Sequence, residues 1–82
     1  MSILYLTLYK KWFDEILAGY KTEEYRRKKG YWDKRLRGRK YDYVQFKNGY
    51  RKDSTCMLVE FNGIDETDEY YIIKLGKIIS KS

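Results

Sequence analysis

The stretch "GYKTEEYRR", residues 19–27, governs how the chain is read on either side of it. Upstream of it apolar residues recur at helical spacing. From Lys21 the pattern alternates over "KTEEYRR", which predicts a strand rather than a continued helix. Gly19 falls where a helix ends in a left-handed residue, a conformation that glycine adopts without steric cost. In a strand, Thr22, Glu24 and Arg26 share one face and Glu23, Tyr25 and Arg27 the other. On this reading Tyr25 marks the core face, so the hydroxyl, carboxylate and guanidinium of the first set look into something other than an apolar core.

On the N-terminal side, "ILYLTLY" (3–9) has the β-branched and aromatic content of a strand, and its near-continuous apolarity predicts a central one. In "KKWFDEILAGY" (10–20) the residues Trp12, Phe13, Ile16, Leu17 and Tyr20 form one helical stripe. On the C-terminal side, "YWDKRLRG" (31–38) fits two helical turns ending at Gly38, and "YDYVQFK" (41–47) alternates as a strand before the Asn48-Gly49 turn. "TCMLVEF" (55–61) reads as a buried strand and "NGIDETDE" (62–69) as an acidic turn. "YYIIKLGKII" (70–79) supplies a last strand or two, with Gly76 at a bulge or bend. The order β-α-β-α-β-β-β over 82 residues predicts one α+β domain, residues 1–82: a small β-barrel of about five strands with one N-terminal helix and a second short helix. A closed or nearly closed barrel is expected, because an open sheet of that size leaves two bare edges.

Charge is one-sided. The net +6 and pI of about 9.4 come from residues 21–52, where thirteen Lys and Arg face four acids, densest across "RRKKGYWDKRLRGRK" (26–40). Cationic side chains interleaved with Tyr31 and Trp32 suit a surface that tracks phosphates and stacks bases; a solvated, solubilising face is the alternative. The single cysteine, Cys56, lies in an apolar run and predicts a buried thiol in a reducing compartment, hence a cytoplasmic location. Without histidine there is no Ser-His-Asp or Cys-His catalysis and no His-containing metal site, so neither metal nor cofactor is expected. The N-terminus has neither the basic region of a signal peptide nor the length of a membrane span.

The segments "ILAGYKTEEYR", "YDYVQF" followed by "NGY", "MLVEF" and "YYIIKLGKII" together resemble the ASCH domain, a small member of the PUA-like β-barrel superfamily. The Gly-x-Lys-Thr-x-Glu-x-Arg run is the most specific part of the likeness. The resemblance implies RNA or nucleotide binding in a cleft beside the barrel, with the signature Lys, Glu and Arg carried by Lys21, Glu24 and Arg26. Members also include amidohydrolases acting on acetylcytidine and a ribonuclease. The amidohydrolases carry a threonine where this chain has Glu24, which weakens the deacetylase expectation.

The candidate nucleic-acid-binding residues are Lys21, Thr22, Arg26, Tyr31, Lys34, Arg35, Asn48, Tyr50 and Arg51. Arg26 offers a planar fork for a phosphate or a base edge, Asn48 an amide for a base edge, and Tyr50 and Arg51 stacking and phosphate contact. Each has a structural alternative: Arg26 in an ion pair with Glu24 or Glu60, Asn48 as a turn residue only. Trp32 and Leu36 are expected to pack inward, leaving Tyr31 outward with Lys28, Lys29, Lys34, Arg35, Arg37 and Arg39. If the chain breaks a bond, Lys21 and Glu24 are the catalytic candidates of a metal-independent hydrolase acting on RNA or a modified nucleoside, with Glu60 a further carboxylate. A protein partner with an acidic surface is the remaining alternative to RNA or a nucleotide.

Overall fold

A computed structural model describes residues 1–82. The elements follow the expected order: β1 (Ile3–Leu8), α1 (Lys10–Leu17), β2 (Glu23–Arg27), α2 (Gly30–Leu36), β3 (Tyr43–Asn48), β4 (Cys56–Glu66) and β5 (Tyr70–Lys81). The five strands form one curved sheet, a half-barrel, in the order β1-β3-β4-β5-β2, with β1 and β3 parallel and the other pairs antiparallel. No helix is long and apolar enough to cross a membrane.

The concave face holds the core. Leu4, Leu6 and Leu8 of β1 stand beside Val44 and Phe46 of β3, which face Val59 and Met57 of β4 in register, and Tyr71, Ile73 and Leu75 complete the layer from β5. Phe13 and Ile16 of α1 and Leu36 of α2 close it. Strand β1 is an edge strand and not a central one. Its outward positions include Tyr5, 66% exposed, so its apolar composition reflects an amphipathic ring as much as burial. Cys56 follows the same alternation: Met57 and Val59 point in, and the thiol is half-buried rather than buried.

Helix α1 has only two turns, which limits its apolar stripe to Phe13, Ile16 and part of Leu17, while Trp12 and Tyr20 stay exposed at 40% and 86%. The helix ends in a Schellman motif. The Tyr20 amide donates to the Glu15 carbonyl at 3.0 Å and the Gly19 amide to the Ile16 carbonyl at 3.1 Å, with Gly19 at φ +87°. Tyr20 therefore lies beyond the helix, where helical spacing no longer governs its direction.

The largest boundary difference from the sequence reading lies at the end of β4. Residues 62–66 continue β4, and the turn is confined to 67–69, fastened by the Tyr70 amide donating to Thr67 Oγ1 at 3.0 Å. Gly63, at φ +105°, absorbs an irregularity of the ladder that a turn was expected to provide. The bulge at Gly76 is present: Val59 pairs with Ile78 but Phe61 with Leu75, leaving an extra residue in β5. Glu60 Oε1 accepts from the freed Lys77 amide at 2.9 Å, and a Cβ at position 76 would stand 2.8 Å from the Asn62 side chain. Glu60 is thereby committed to the bulge.

The barrel does not close through backbone pairing. Strands β1 and β2 are both free edges, and the bond across the gap between them is a single side-chain contact, Arg26 Nη2 donating to the Thr7 carbonyl at 3.3 Å.

Removing a fully enclosed ring from the centre should be costly where removing an exposed one is not. Phe46→Ala is expected to lower unfolding free energy by about 3 to 5 kcal/mol in denaturant titration, and Tyr20→Ala to change it by about 0.5 kcal/mol or less.

Candidate functional site

The Schellman turn delivers Lys21 to the start of β2, and the β2–β5 register orients the strand beyond it. Glu24 stands opposite Ile73 and Arg26 opposite Tyr71, both core residues, so Glu24 and Arg26 point to the concave face. Tyr25, opposite Ile72, points out and is 48% exposed. The expected assignment of faces is thus reversed: the charged pair occupies the interior and the aromatic the exterior. Charged side chains enter the interior because they neutralise one another there. Glu24, the one charged residue among the buried set, is gripped on both oxygens: Lys21 Nζ lies 3.3 Å from Oε1 and Arg26 Nη2 lies 2.9 Å from Oε2. Thr22 takes no part in the ion pairs but lines a neighbouring hollow with Trp12, Lys21 and Tyr25. It precedes the strand, is exposed, and contributes its carbonyl to the Leu75 amide at 3.0 Å.

Aromatic rings flank the cluster. Lys21 Nζ is 5.3 Å from the Trp12 ring centroid and 5.9 Å from that of Tyr25, and a hollow of about 310 Å³ opens among Trp12, Lys21, Glu24 and Tyr25. On the other side the Arg26 guanidinium stacks 5.0 Å from the Trp32 ring. Arg26 Nε is buried without a hydrogen-bond partner.

Helix α2 carries the second group of candidates. Leu36 is buried and Trp32 packs partly against the core, as the spacing of four predicts. The helix is pinned to β5 by the Tyr71 hydroxyl donating to Asp33 Oδ1, and Asp33 also pairs with Arg37 at 3.6 Å. The hydrogen bond to Asp33, and then burial, raise the Tyr71 phenol above its ordinary value of 10.0, with Arg37 opposing. Outward, Tyr31, Lys34 and Arg35 surround a concavity of about 490 Å³ together with Arg39 and Tyr41. Arg35 lies 4.5 Å over the Tyr31 ring, and the Tyr41 hydroxyl donates to the Arg35 carbonyl at 2.6 Å. Tyr31 meets Trp32 edge to face at 4.7 Å. The two groups are therefore joined through one line of contacts, Glu24 to Arg26 to Trp32 to Tyr31 to Arg35.

The cations divide by partner. Ion pairs engage Lys28 with Glu66 at 2.9 Å and Arg37 with Asp33, removing both from the outward cationic set in which they were expected. Lys34, Arg35 and Arg39 have no carboxylate partner among the six ion pairs of the chain. Asn48, Tyr50 and Arg51 are set apart: Asn48 ends β3 beside Leu8, its backbone N–H donating to the Thr55 carbonyl at 2.9 Å, and Tyr50 and Arg51 are exposed on the following loop. None of the three lines the hollows that hold Lys21 or Arg35. Glu60 lies in a separate hollow with Asp42 and Asn62. No group of three or more Cys, Asp or Glu side chains assembles that would hold a metal ion.

Trp12 and Tyr41 line these hollows, although the sequence reading places one in the apolar stripe of a helix and the other at the head of a strand. Trp12 gave no separate signal, since its spacing of four from Ile16 is the same whether its ring packs on the core or stays 40% exposed at the flank of the helix. Tyr41 had none, since a strand-leading tyrosine looks the same whether its ring lines a groove or a core.

Glu24→Ala leaves Lys21 and Arg26 facing each other without a counter-charge and should destabilise the fold by about 3 to 5 kcal/mol in denaturant titration. Replacing the cluster with apolar residues of similar volume should cost far less. Because the folded chain holds the Tyr71 proton more tightly than the unfolded chain does, that contribution is complete below about pH 10 and is lost as pH rises through the raised folded value. Thermal melts from pH 8 to 11 should show stability falling at the alkaline end, by less in Tyr71→Phe than in the parent. No protein-family model, curated protein or solved structure matches this chain.

Proposed function

We propose that the chain is an RNA-binding domain, of ASCH and PUA-like type, that holds single-stranded RNA or a nucleotide along the surface running from the Lys21–Glu24–Arg26 cluster to the outer side of α2. The observation that carries this reading is the alternation of cations and rings along that surface, Arg26 on Trp32 and Arg35 on Tyr31, beside concavities of about 310 and 490 Å³. A polynucleotide presents anionic phosphates and flat bases in turn, and binds where guanidinium groups and aromatic faces are offered in turn. The partnerless state of Lys34, Arg35 and Arg39 supports the same reading, since a cation already paired with a carboxylate gains less from a phosphate.

A metal-independent hydrolase working through Lys21 and Glu24 has less in its favour. Both oxygens of Glu24 are held by cations, at 3.3 and 2.9 Å, so Glu24 would have to release one before taking a proton from a substrate. The carboxylate serves here to hold two cations in place.

Fluorescence anisotropy with a labelled single-stranded RNA tests the proposal. Affinity should fall steeply with salt, Tyr31→Ala should weaken binding by about 1 to 3 kcal/mol, and Arg35→Ala should lower the salt slope by about one. Both side chains are exposed, so loss of binding will not be confused with loss of fold. Absence of binding at low ionic strength would refute the reading.

A further inference from the structure

We infer that a groove beside α2 takes two consecutive nucleotides of single-stranded RNA, with Arg39 on the phosphate between them; the inference rests on the RNA-binding reading above and specifies where and how that ligand lies. Two hollows meet at this side chain. One, of about 490 Å³, is bounded by Tyr31, Lys34, Arg35 and Tyr41; the other, of about 320 Å³, by Leu36, Lys40, Phe61 and Ile64; Arg39 lines both. Their floors join, because Tyr41 of the first and Phe61 of the second touch edge to face at 5.6 Å.

The geometry selects a ligand class. An isolated phosphate or a phosphorylated side chain needs the guanidinium but not an aromatic or apolar floor on each side of it. A phosphodiester flanked by two bases needs all three, since each base brings a flat face to one hollow while the anion between them meets the cation. Each hollow also falls within the range of about 300 to 1,000 Å³ usual for small-ligand sites. The Arg39 guanidinium is free to meet that anion, because its side chain has no ion-pair partner and its backbone amide alone is engaged, donating to the Leu36 carbonyl at 3.3 Å. Gly38, at φ +65°, turns the chain after α2 and places Arg39 at the junction. Glu66 is the one carboxylate at the second hollow, and Lys28 neutralises it at 2.9 Å.

The test uses the whole chain and an oligouridine of about eight nucleotides, followed by anisotropy over a salt series. Arg39→Ala should weaken binding about tenfold or more and lower the salt slope by about one. Arg39→Lys should restore the slope but not the full affinity, because a point charge neutralises the phosphate without the two-pronged contact. Lys77→Ala, an exposed cation elsewhere on β5, should have a smaller effect than Arg39→Ala. A 5′-phosphorylated uridine dinucleotide should compete better than pyrophosphate, the shortest inorganic polyphosphate, which carries a similar charge. Parental affinity and slope in Arg39→Ala, alongside weakened Tyr31→Ala and Arg35→Ala, would overturn the groove and leave the RNA reading standing. Equal competition by pyrophosphate would overturn it too, as charge alone would then suffice. If no variant and no parent binds RNA at low salt, the groove falls together with the function it rests on.

Discussion

The buried carboxylate of Glu24, held between Lys21 and Arg26, is the constraint around which this small domain is arranged. A five-stranded sheet that curls without closing must leave two edges, and here they are β1 and β2. An inward-pointing charge on an edge strand deters the addition of a further strand, and β2 carries two such residues. Neither would be tolerated in the interior alone. Together, with Lys21 capping the other oxygen, they form a polar plug in the gap between the edges, and the same arginine reaches across to the Thr7 carbonyl of β1. The interaction that makes the edge permissible is thus also the one that spans the opening.

From this plug the surface chemistry extends outward through Arg26. Its guanidinium lies between the Glu24 carboxylate and the Trp32 ring, so the position of α2 and the position of the ion cluster are coupled through one side chain. The helix has an independent anchor in the Tyr71–Asp33 hydrogen bond and the burial of Leu36. With the helix fixed at these points, its outer side is free to carry Tyr31, Lys34 and Arg35 without structural duties. The division between paired cations, which hold elements together, and unpaired ones, which face solvent around a concavity, separates architecture from ligand handling within a single basic segment.

The places where the structure departs from sequence reasoning have a common cause. The alternation of residues 21–27 was legible and the strand is there, but which face is interior depends on the partner strand's register; Glu24 opposite Ile73 points inward whatever its own polarity. The helical stripe of α1 was legible, but the Schellman turn ended it before Tyr20, which lies outside the core, and Trp12 stays 40% exposed at the flank of the helix. Asn62-Gly63 has the composition of a turn and lies within β4, because the long β4–β5 ladder offers more backbone bonds than a turn there would.

Local sequence is enough to specify the element order, the helix stop at Gly19, the bulge at Gly76, the inward packing of Trp32 and Leu36, and the concentration of cations in residues 21–52. These rest on short-range periodicity, glycine's tolerance of positive φ and plain counting, none of which needs distant residues. Long-range pairing was required to make β1 an edge, to turn Glu24 and Arg26 toward the interior, and to commit Lys28 to Glu66 while leaving Lys34, Arg35 and Arg39 without a carboxylate partner. The same pairing holds Asn48, Tyr50 and Arg51 apart from that group. Each of those outcomes depends on which strands lie side by side and in what register, and contact between residues far apart along the chain leaves no local trace in either partner's sequence.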